Sequence, residues 1–459
     1  MLAIVCGAGN VGRSLVQYLV DHDFDVAVID SSAHLIADLL ENFDVRAIVG
    51  HAASPSDLER AGANEANILF AFTRSDEINM MACQIAHSLF KTPVKIARVR
   101  SSAYTSSLMN ILFNDANIPV DHGIAPEEQV AQEIIRCLLN PGVFSLQPII
   151  DDQLVVAGIV CKKESPMINT NLRQLSTQTG GLLFRVLAII REHIIHYPTS
   201  MDEIKAGDNL YIVAASHQLS AIVKLFGHQE NEDAKRIVIV GAGHVSKILL
   251  EDLKEIEFSA KITVIEKDEK RARDFAEFFP QAVILSGHAL SPKIMREANV
   301  EQCDAIINAT RHDEVNLFAG LLAKKAGTKR AISIINEATF VPLLADVGID
   351  VPVYPRQIVI SALVSYLRRG GIRNAYSLRD GFAEVFDVEI LENSSMLGKS
   401  LQNAKFPDGV VAGLIVRNND IMVAKNHTNL ERGDRLVLIV DKKAIKKVEA
   451  MFSAKSDFF

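Results

Sequence analysis

Gly50-His51-Ala52-Ala53-Ser54-Pro55, ending in Thr73-Arg74-Ser75-Asp76-Glu77-Ile78-Asn79, returns later in the chain. The second version starts Gly287-His288-Ala289-Leu290-Ser291-Pro292 and ends Thr310-Arg311-His312-Asp313-Glu314-Val315-Asn316, a gapless offset of 237 positions (50 to 287). A glycine turn recurs too, Gly7-Ala8-Gly9 against Gly241-Ala242-Gly243. Self-similarity at about half of the 459 residues marks a tandem duplication. The usual prior of roughly 150 residues per domain suggests three domains. The repeat replaces that with two copies of one unit.

Each copy divides again. Early in the first, apolar runs (Leu2–Cys6, Val26–Ile29, Val45–Val49, Ile68–Phe72, Val94–Val99) alternate with amphipathic helical patterns such as Val11, Leu15, Tyr18 and Leu19. Continuous apolar runs are strands buried on both faces, as a parallel βαβ sheet requires. Ser54-Pro55 reads as a capping serine before a first-turn proline, and Gly62 as the end of that helix. A helix from Pro126 to Leu139 stops at Asn140-Pro141-Gly142. The texture then changes to hairpin strands, Leu154–Cys161, Leu182–Ile190, Ile194–Tyr197 and Asn209–Ala214, closed by a helix from Gln218 to Phe226. The second copy repeats this with Val410–Val416, a turn at Asn418-Asn419, Ile421–Ala424, Leu436–Val440 and a helix to Phe452. The expected fold class is therefore α/β: two Rossmann-like doubly wound parallel-sheet domains, each followed by a small α+β domain. The expected domains are 1–140, 141–229, 235–369 and 370–459, with Glu230-Asn231-Glu232-Asp233 as the linker.

Composition excludes several function classes. A net charge of −8 gives no overall drive toward nucleic acid or anionic lipid. Cys6, Cys83, Cys137, Cys161 and Cys303 are odd in number, scattered and without a C-x-x-C pair, which fits buried thiols in a reducing cytoplasm. No metal site is expected. Leu182–Ile195 is the best apolar run, but it is short and carries Arg185, Arg191, Glu192 and His193. The N-terminus has no basic flank or cleavage site, so neither membrane insertion nor a signal peptide is expected.

Gly7-Ala8-Gly9-Asn10-Val11-Gly12 fits G-x-G-x-x-G between a strand and a helix. The first glycine permits the turn, the second lets backbone N–H groups approach a pyrophosphate, and the third lets helix and strand pack closely. Asp30, ending the second strand, can accept from both ribose hydroxyls and repels a 2′-phosphate. NAD(H), ADP or ATP is thus favoured over NADP, without separation of NAD from ATP. The second copy reads Gly241-Ala242-Gly243-His244-Val245-Ser246, with Glu266 in place of Asp30 and Ser246 in place of the third glycine. A serine there packs with some widening.

After the fourth strand, Thr73 and Arg74, repeated as Thr310 and Arg311, are placed to reach phosphate or ribose oxygens. Asp76 and Glu77 read as first-turn capping residues. Arg98 offers a second phosphate contact; its offset partner is Ile335, so the second crevice lacks it. His51 and His288 recur without a second ligand at metal spacing and read as turn or crevice-lining residues. No residue stands out as an acid-base group in the small domains, so no catalytic residue is expected and the chain reads as a nucleotide sensor rather than an enzyme. An NAD-dependent oxidoreductase and a scaffold with vestigial sites remain as alternatives.

These glycine turns, Asp30, Gly50-His51, the Thr73–Asn79 segment and Ile96-Ala97-Arg98-Val99-Arg100 resemble the regulator-of-potassium-conductance (RCK, or KTN) family. The β-rich parts, with Gly207-Asp208-Asn209-Leu210 and Gly433-Asp434-Arg435-Leu436, resemble its TrkA-C domain. The ending, Val448 to Phe452 with Phe458-Phe459, is similar as well. The resemblance covers nearly the whole chain. It implies a cytoplasmic regulator, peripheral at the inner (plasma) membrane face. Such a regulator forms a homo-oligomeric ring of RCK domains under a potassium transporter subunit of TrkH or TrkG type and is set by NAD(H), ATP or ADP. It also implies nucleotide contacts at Gly7, Ala8, Gly9, Asn10, Val11, Asp30, Thr73, Arg74 and Arg98. In the second copy these are Gly241, Gly243, His244, Val245, Glu266, Thr310 and Arg311.

Overall fold

In a computed structural model, the described residues are 1–101, 104, 109–192, 194–228, 234–367, 371–378 and 382–452. The expected linker Glu230–Asp233, the breaks at 229 and 369–370, and Phe458-Phe459 lie outside them. The described residues pack as two compact units. One holds Met1–Gln129 with Ile358–Ala362; the other holds Val130–Gln357 and the chain from Leu363 onward.

The first unit is built on β1 (Leu2–Cys6), β2 (Asp25–Asp30), β3 (Arg46–Val49), β4 (Ile68–Ala71), β5 (Val94–Arg98) and β6 (His122–Ile124). They form one all-parallel sheet in the order β3-β2-β1-β4-β5-β6. β4 is buried along its length and β1 from Ala3 to Cys6, because helices cover both faces. The helix starts follow the capping chemistry. Ser32 accepts from the Leu35 N–H, Ser54 from Asp57 and Ser75 from Ile78. The strand order reverses between β1 and β4. That switch point opens a crevice at the carboxyl ends of the strands.

In the second unit, β7 (Val143–Ile149), β8 (Leu154–Val160), β9 (Phe184–Arg191), β10 (Ile194–His196) and β11 (Asn209–Ala215) make an antiparallel sheet, ordered β10-β9-β11-β8-β7. A second parallel sheet follows, of β12 (Arg236–Val240), β13 (Lys261–Glu266), β14 (Val283–Ser286), β15 (Ala305–Asn308), β16 (Arg330–Ile334) and β17 (Val351–Val353). Its order, β14-β13-β12-β15-β16-β17, repeats the first. The last sheet has β18 (Ile372–Ser377), β19 (Ala383–Glu389), β20 (Val410–Arg417), β21 (Asp420–Val423) and β22 (Arg435–Asp441), ordered β18-β19-β22-β20-β21. Counted within its own copy, each small sheet runs fourth-third-fifth-second-first.

The two small sheets face each other. Phe144, Val156, Leu187, Tyr211 and Val213 pack against Val385, Leu414, Val437 and Ile439 in one continuous core. The fit leaves no space at Gly413, where a Cβ would lie 2.5 Å from Val213. Tyr197 donates its hydroxyl to Asp441 at 2.8 Å on the rim, and Arg435 pairs with Asp151. The repeated Gly-Asp pairs explain themselves here. The buried Asp208 carboxylate takes Arg191 through Nε and Nη2, both at 2.7 Å, and Asp434 takes Arg417 in the same way. Each also accepts the N–H three residues upstream, Lys205 or Glu431, at 2.8 Å.

His228 gives this unit a pH dependence. Its Nε2 donates to the Val160 carbonyl at 2.7 Å, and burial pushes its pKa below 6.5. The unfolded chain therefore takes up the proton first, and stability falls as pH drops through about 6.5 toward the lower folded value. In thermal melts of the wild type and His228→Gln, the difference between the two proteins should shift against the wild type between pH 7 and 5.5.

Candidate nucleotide-binding sites

Gly7 leaves β1 at φ +110°, and a Cβ there would press to 2.6 Å from the Phe72 carbonyl oxygen. A Cβ on Gly12 would come within 1.8 Å of the Gly7 oxygen. These two glycines are therefore fixed by packing. Gly9 differs: a Cβ built on it meets nothing within 4 Å. It caps the helix Asn10–Asp21 without any side-chain hydrogen bond, so the helix start faces open space. That space beside orphan N–H groups and a helix dipole suits a phosphate.

Asp30 stands beside the turn. Its Oδ2 accepts the Ala8 N–H at 2.6 Å and its Oδ1 accepts the Ser32 N–H at 2.8 Å. Two bonds leave lone pairs for ribose hydroxyls. The same carboxylate thus shapes the turn and can read the sugar.

The loops after β4 and β5 are tied together by Thr73, Asp76 and Asn79 of the repeated segment. The Thr73 hydroxyl donates to the buried Asn79 Oδ1 at 2.6 Å, and Asn79 Nδ2 donates to the Arg98 carbonyl at 2.9 Å. Thr73 is thus engaged inside the loop. Asp76 is not simply a cap: Ser75 caps the helix, while the buried Asp76 carboxylate accepts from Arg100 and Ser101 N–H groups, each at 2.9 Å. Glu77 stays with the cap, its pKa lowered by the Ser75 hydroxyl 2.6 Å away. Arg74 is exposed at the rim. Arg98 is held by Glu127, in the first turn of the helix Pro126–Leu139, with Nη2 to Oε1 at 2.7 Å. Asn79 lay in the repeated segment and could have been found from it. Glu127 has no like residue in the second copy and carried no such signal.

The second crevice repeats the frame with other details. Gly241 sits at φ +99°, and a Cβ on Gly243 meets nothing within 4 Å. His244 and Val245 open the helix His244–Glu255. Ser246 is accommodated by a bond rather than by widening alone: its Oγ donates to the Gly241 carbonyl at 2.6 Å. Glu266 accepts from Ala242 at 2.8 Å and Asp268 at 2.9 Å, is buried, and has Arg271 at 3.7 Å. Thr310 donates to Asn316 at 2.7 Å, Asn316 donates to the Ile334 carbonyl at 2.9 Å, and Arg311 is exposed. Ile335 is buried.

His51 and His288 build turns, each accepting through Nδ1 from the N–H two residues on at 3.2 Å. All five cysteines are free and buried, and burial pushes Cys6 and Cys303 up to about 12. Among the described residues no helix is long and apolar enough to cross a membrane.

The TrkA-N domain model matches residues 3–119 and 237–355, and the TrkA-C domain model matches 385–453. The Trk system potassium uptake protein TrkA of Azorhizobium caulinodans is 36% identical over 459 residues, covering 100% of both chains. Those of Vibrio alginolyticus and Halomonas elongata are 34% and 33% identical, again over 100% of each chain. Among solved structures, the GsuK RCK domain aligns over 98% of this chain and 94% of its own, with TM-score 0.60 at 18% identity. The GsuK channel bound to NAD gives 0.62 at 18%, over 98% of this chain and 78% of that one. At this identity the likeness speaks for the fold, which is that of RCK domains.

Proposed function

The chain belongs to the family of Trk system potassium uptake proteins TrkA, and from that premise we propose a nucleotide-set gate: it binds NAD(H), ATP or ADP and thereby opens or closes a membrane potassium subunit. The observation that carries this reading is the open helix start at Gly9 beside Asp30. One structural neighbour is the GsuK channel bound to NAD and another is GsuK bound to ADP, which supports the ligand class. The family is one of potassium uptake proteins and its neighbours are channel domains, so this chain is a regulatory subunit and not an enzyme. The oxidoreductase alternative falls with that.

In this reading the four domains are 1–140, 141–229, 235–369 and 370–459, and the chain lies at the cytoplasmic face of the plasma membrane. It assembles as a ring of RCK domains beneath a TrkH- or TrkG-type partner. The N–H groups at Gly9, Asn10 and Val11 donate to phosphate, Asp30 accepts from the ribose, and Arg74 and Arg98 add positive charge. The nucleotide supplies only its charge and shape. Moving a gate from mostly closed to mostly open needs about 5.5 kcal/mol of differential binding. Several sites per ring share that.

Asp30→Ala tests it. Hydrogen bonds to a charged group are worth about 1.5–3 kcal/mol, so NADH and ADP affinity in the first crevice should fall ten- to a hundredfold. Nucleotide-dependent potassium flux through vesicles holding the co-purified membrane subunit should fall with it. Intact affinity and intact flux together would sink the proposal.

A further inference from the structure

The second crevice lacks the arginine that ends β5, but the structure puts another one on its opposite wall. Pro126 and Pro355 open the two corresponding helices, so Glu127 of the first copy aligns with Arg356 of the second. Arg100 likewise aligns with Glu337, at the repeat offset. Each crevice thus has an ion pair reaching this helix, though not at aligned positions throughout: the cation comes from the strand end in the first and from the helix in the second. In the first, Arg98 comes from the strand end and Glu127 from the helix, 2.7 Å apart. In the second, Glu337 comes from the loop after β16 and Arg356 from the helix after β17, 3.1 Å apart.

Two details connect Arg356 with the ligand space. Glu337 is fixed at the crevice, since its N–H donates to Asp313 at 2.7 Å, at the start of the helix that follows Thr310 and Arg311. Arg356 Nε is buried without a hydrogen-bond partner among the described residues, as is Nε of Arg98. A single carboxylate holds the Nη2 end of each arginine, and the Arg356 side chain remains partly exposed.

The sheet sets the reach. Neighbouring strands lie about 4.8 Å apart, so the end of β17 is three spacings, roughly 14 Å, from the glycine turn after β12. A nucleoside monophosphate seated at Glu266 and Gly243 does not extend that far. A longer polyphosphate or a dinucleotide runs along the strand ends toward it.

We infer that Arg356 is the phosphate-binding cation of the second crevice, competed for by Glu337, and that it selects adenine nucleotides extended beyond the first phosphate. This rests on the nucleotide reading above. It also restores charge where Ile335 replaces Arg98.

The test uses the full chain with Asp30→Ala, which weakens the first crevice, and calorimetric titration with AMP and ATP. Arg356→Gln added to it should lower ATP affinity at least tenfold while AMP affinity stays within twofold. Glu337→Gln should raise ATP affinity severalfold by removing the competing carboxylate. A merely structural arginine would change both ligands alike. Unchanged ATP affinity in Arg356→Gln, equal losses for AMP and ATP, or no ATP bound in the Asp30→Ala chain would each overturn the inference. If instead the wild-type chain binds neither ligand, it is the nucleotide reading itself that fails.

Discussion

Gly12→Leu is expected to abolish nucleotide binding in the first crevice and to lower the stability of that unit by at least about 3 kcal/mol, the upper range for forcing extra atoms into a packed site. The first side-chain carbon alone would stand 1.8 Å from the Gly7 carbonyl oxygen, which is backbone and cannot swing aside. Relief requires the helix Asn10–Asp21 to move off β1, and that movement takes the open N–H groups away from Asp30. The second copy shows the limit of tolerance. Serine is accepted there because its hydroxyl donates to the opposing carbonyl, which turns a clash into a bond. Leucine has no such exchange. Gly12→Ser should therefore bind nucleotide more weakly than wild type yet fold, and Ser246→Gly should fold normally. Calorimetric titration and chemical denaturation of the three variants check the order.

Asp434→Ala is the second large effect, this time on the small domains. The buried carboxylate takes two guanidinium bonds at 2.7 Å and the Glu431 N–H at 2.8 Å; its loss leaves Arg417 Nε and the Glu431 N–H without that acceptor, while Nη2 keeps the Asn429 carbonyl at 2.7 Å. Breaking a buried pair by removing one partner costs about 3–5 kcal/mol. Arg417 keeps some contact with water at its rim, which argues for about 3. Asp208→Ala should behave alike, since Arg191 and Lys205 make the same contacts. Replacing Arg417 and Asp434 together by apolar residues should cost less than Asp434→Ala alone, a comparison that denaturant melts can make directly.

Much of the frame was legible because buried parallel strands write themselves as apolar runs. β1, β2, β4 and β5 follow the runs from Leu2 to Arg98 to within a residue or two. The strands that escaped notice have physical reasons. β7 is an edge strand, reading Val-Phe-Ser-Leu-Gln-Pro-Ile, half-buried and broken by Pro148. β19 buries Glu384 and Asp387, so its run looks acidic; only the folded sheet brings Arg435 against Asp387. At the crevices the glycine turns and their carboxylates could be read from spacing. Asn79 recurs as Asn316 and could be picked out from the repeat, but the partners of Asp76, Asn79 and Glu127 could not, because each bonds to a loop or strand end that only the sheet brings near.

The facing of the two small sheets has a consequence for how such a chain can change over time. Two separate identical subunits meeting this way would form a symmetric contact, in which every substitution appears twice and must suit itself. Joining both partners in one polypeptide lifts that constraint and makes the contact independent of protein concentration. The rim records the freedom. Tyr197 bonds Asp441, while the strand positions that correspond to them in the other copy hold Val423 and Ala215. A polar latch on one side and plain hydrocarbon on the other is an arrangement no homodimer of equal halves can encode. The same independence leaves the two crevices free to differ in charge, with Arg98 held by Glu127 in one and Arg356 held by Glu337 in the other.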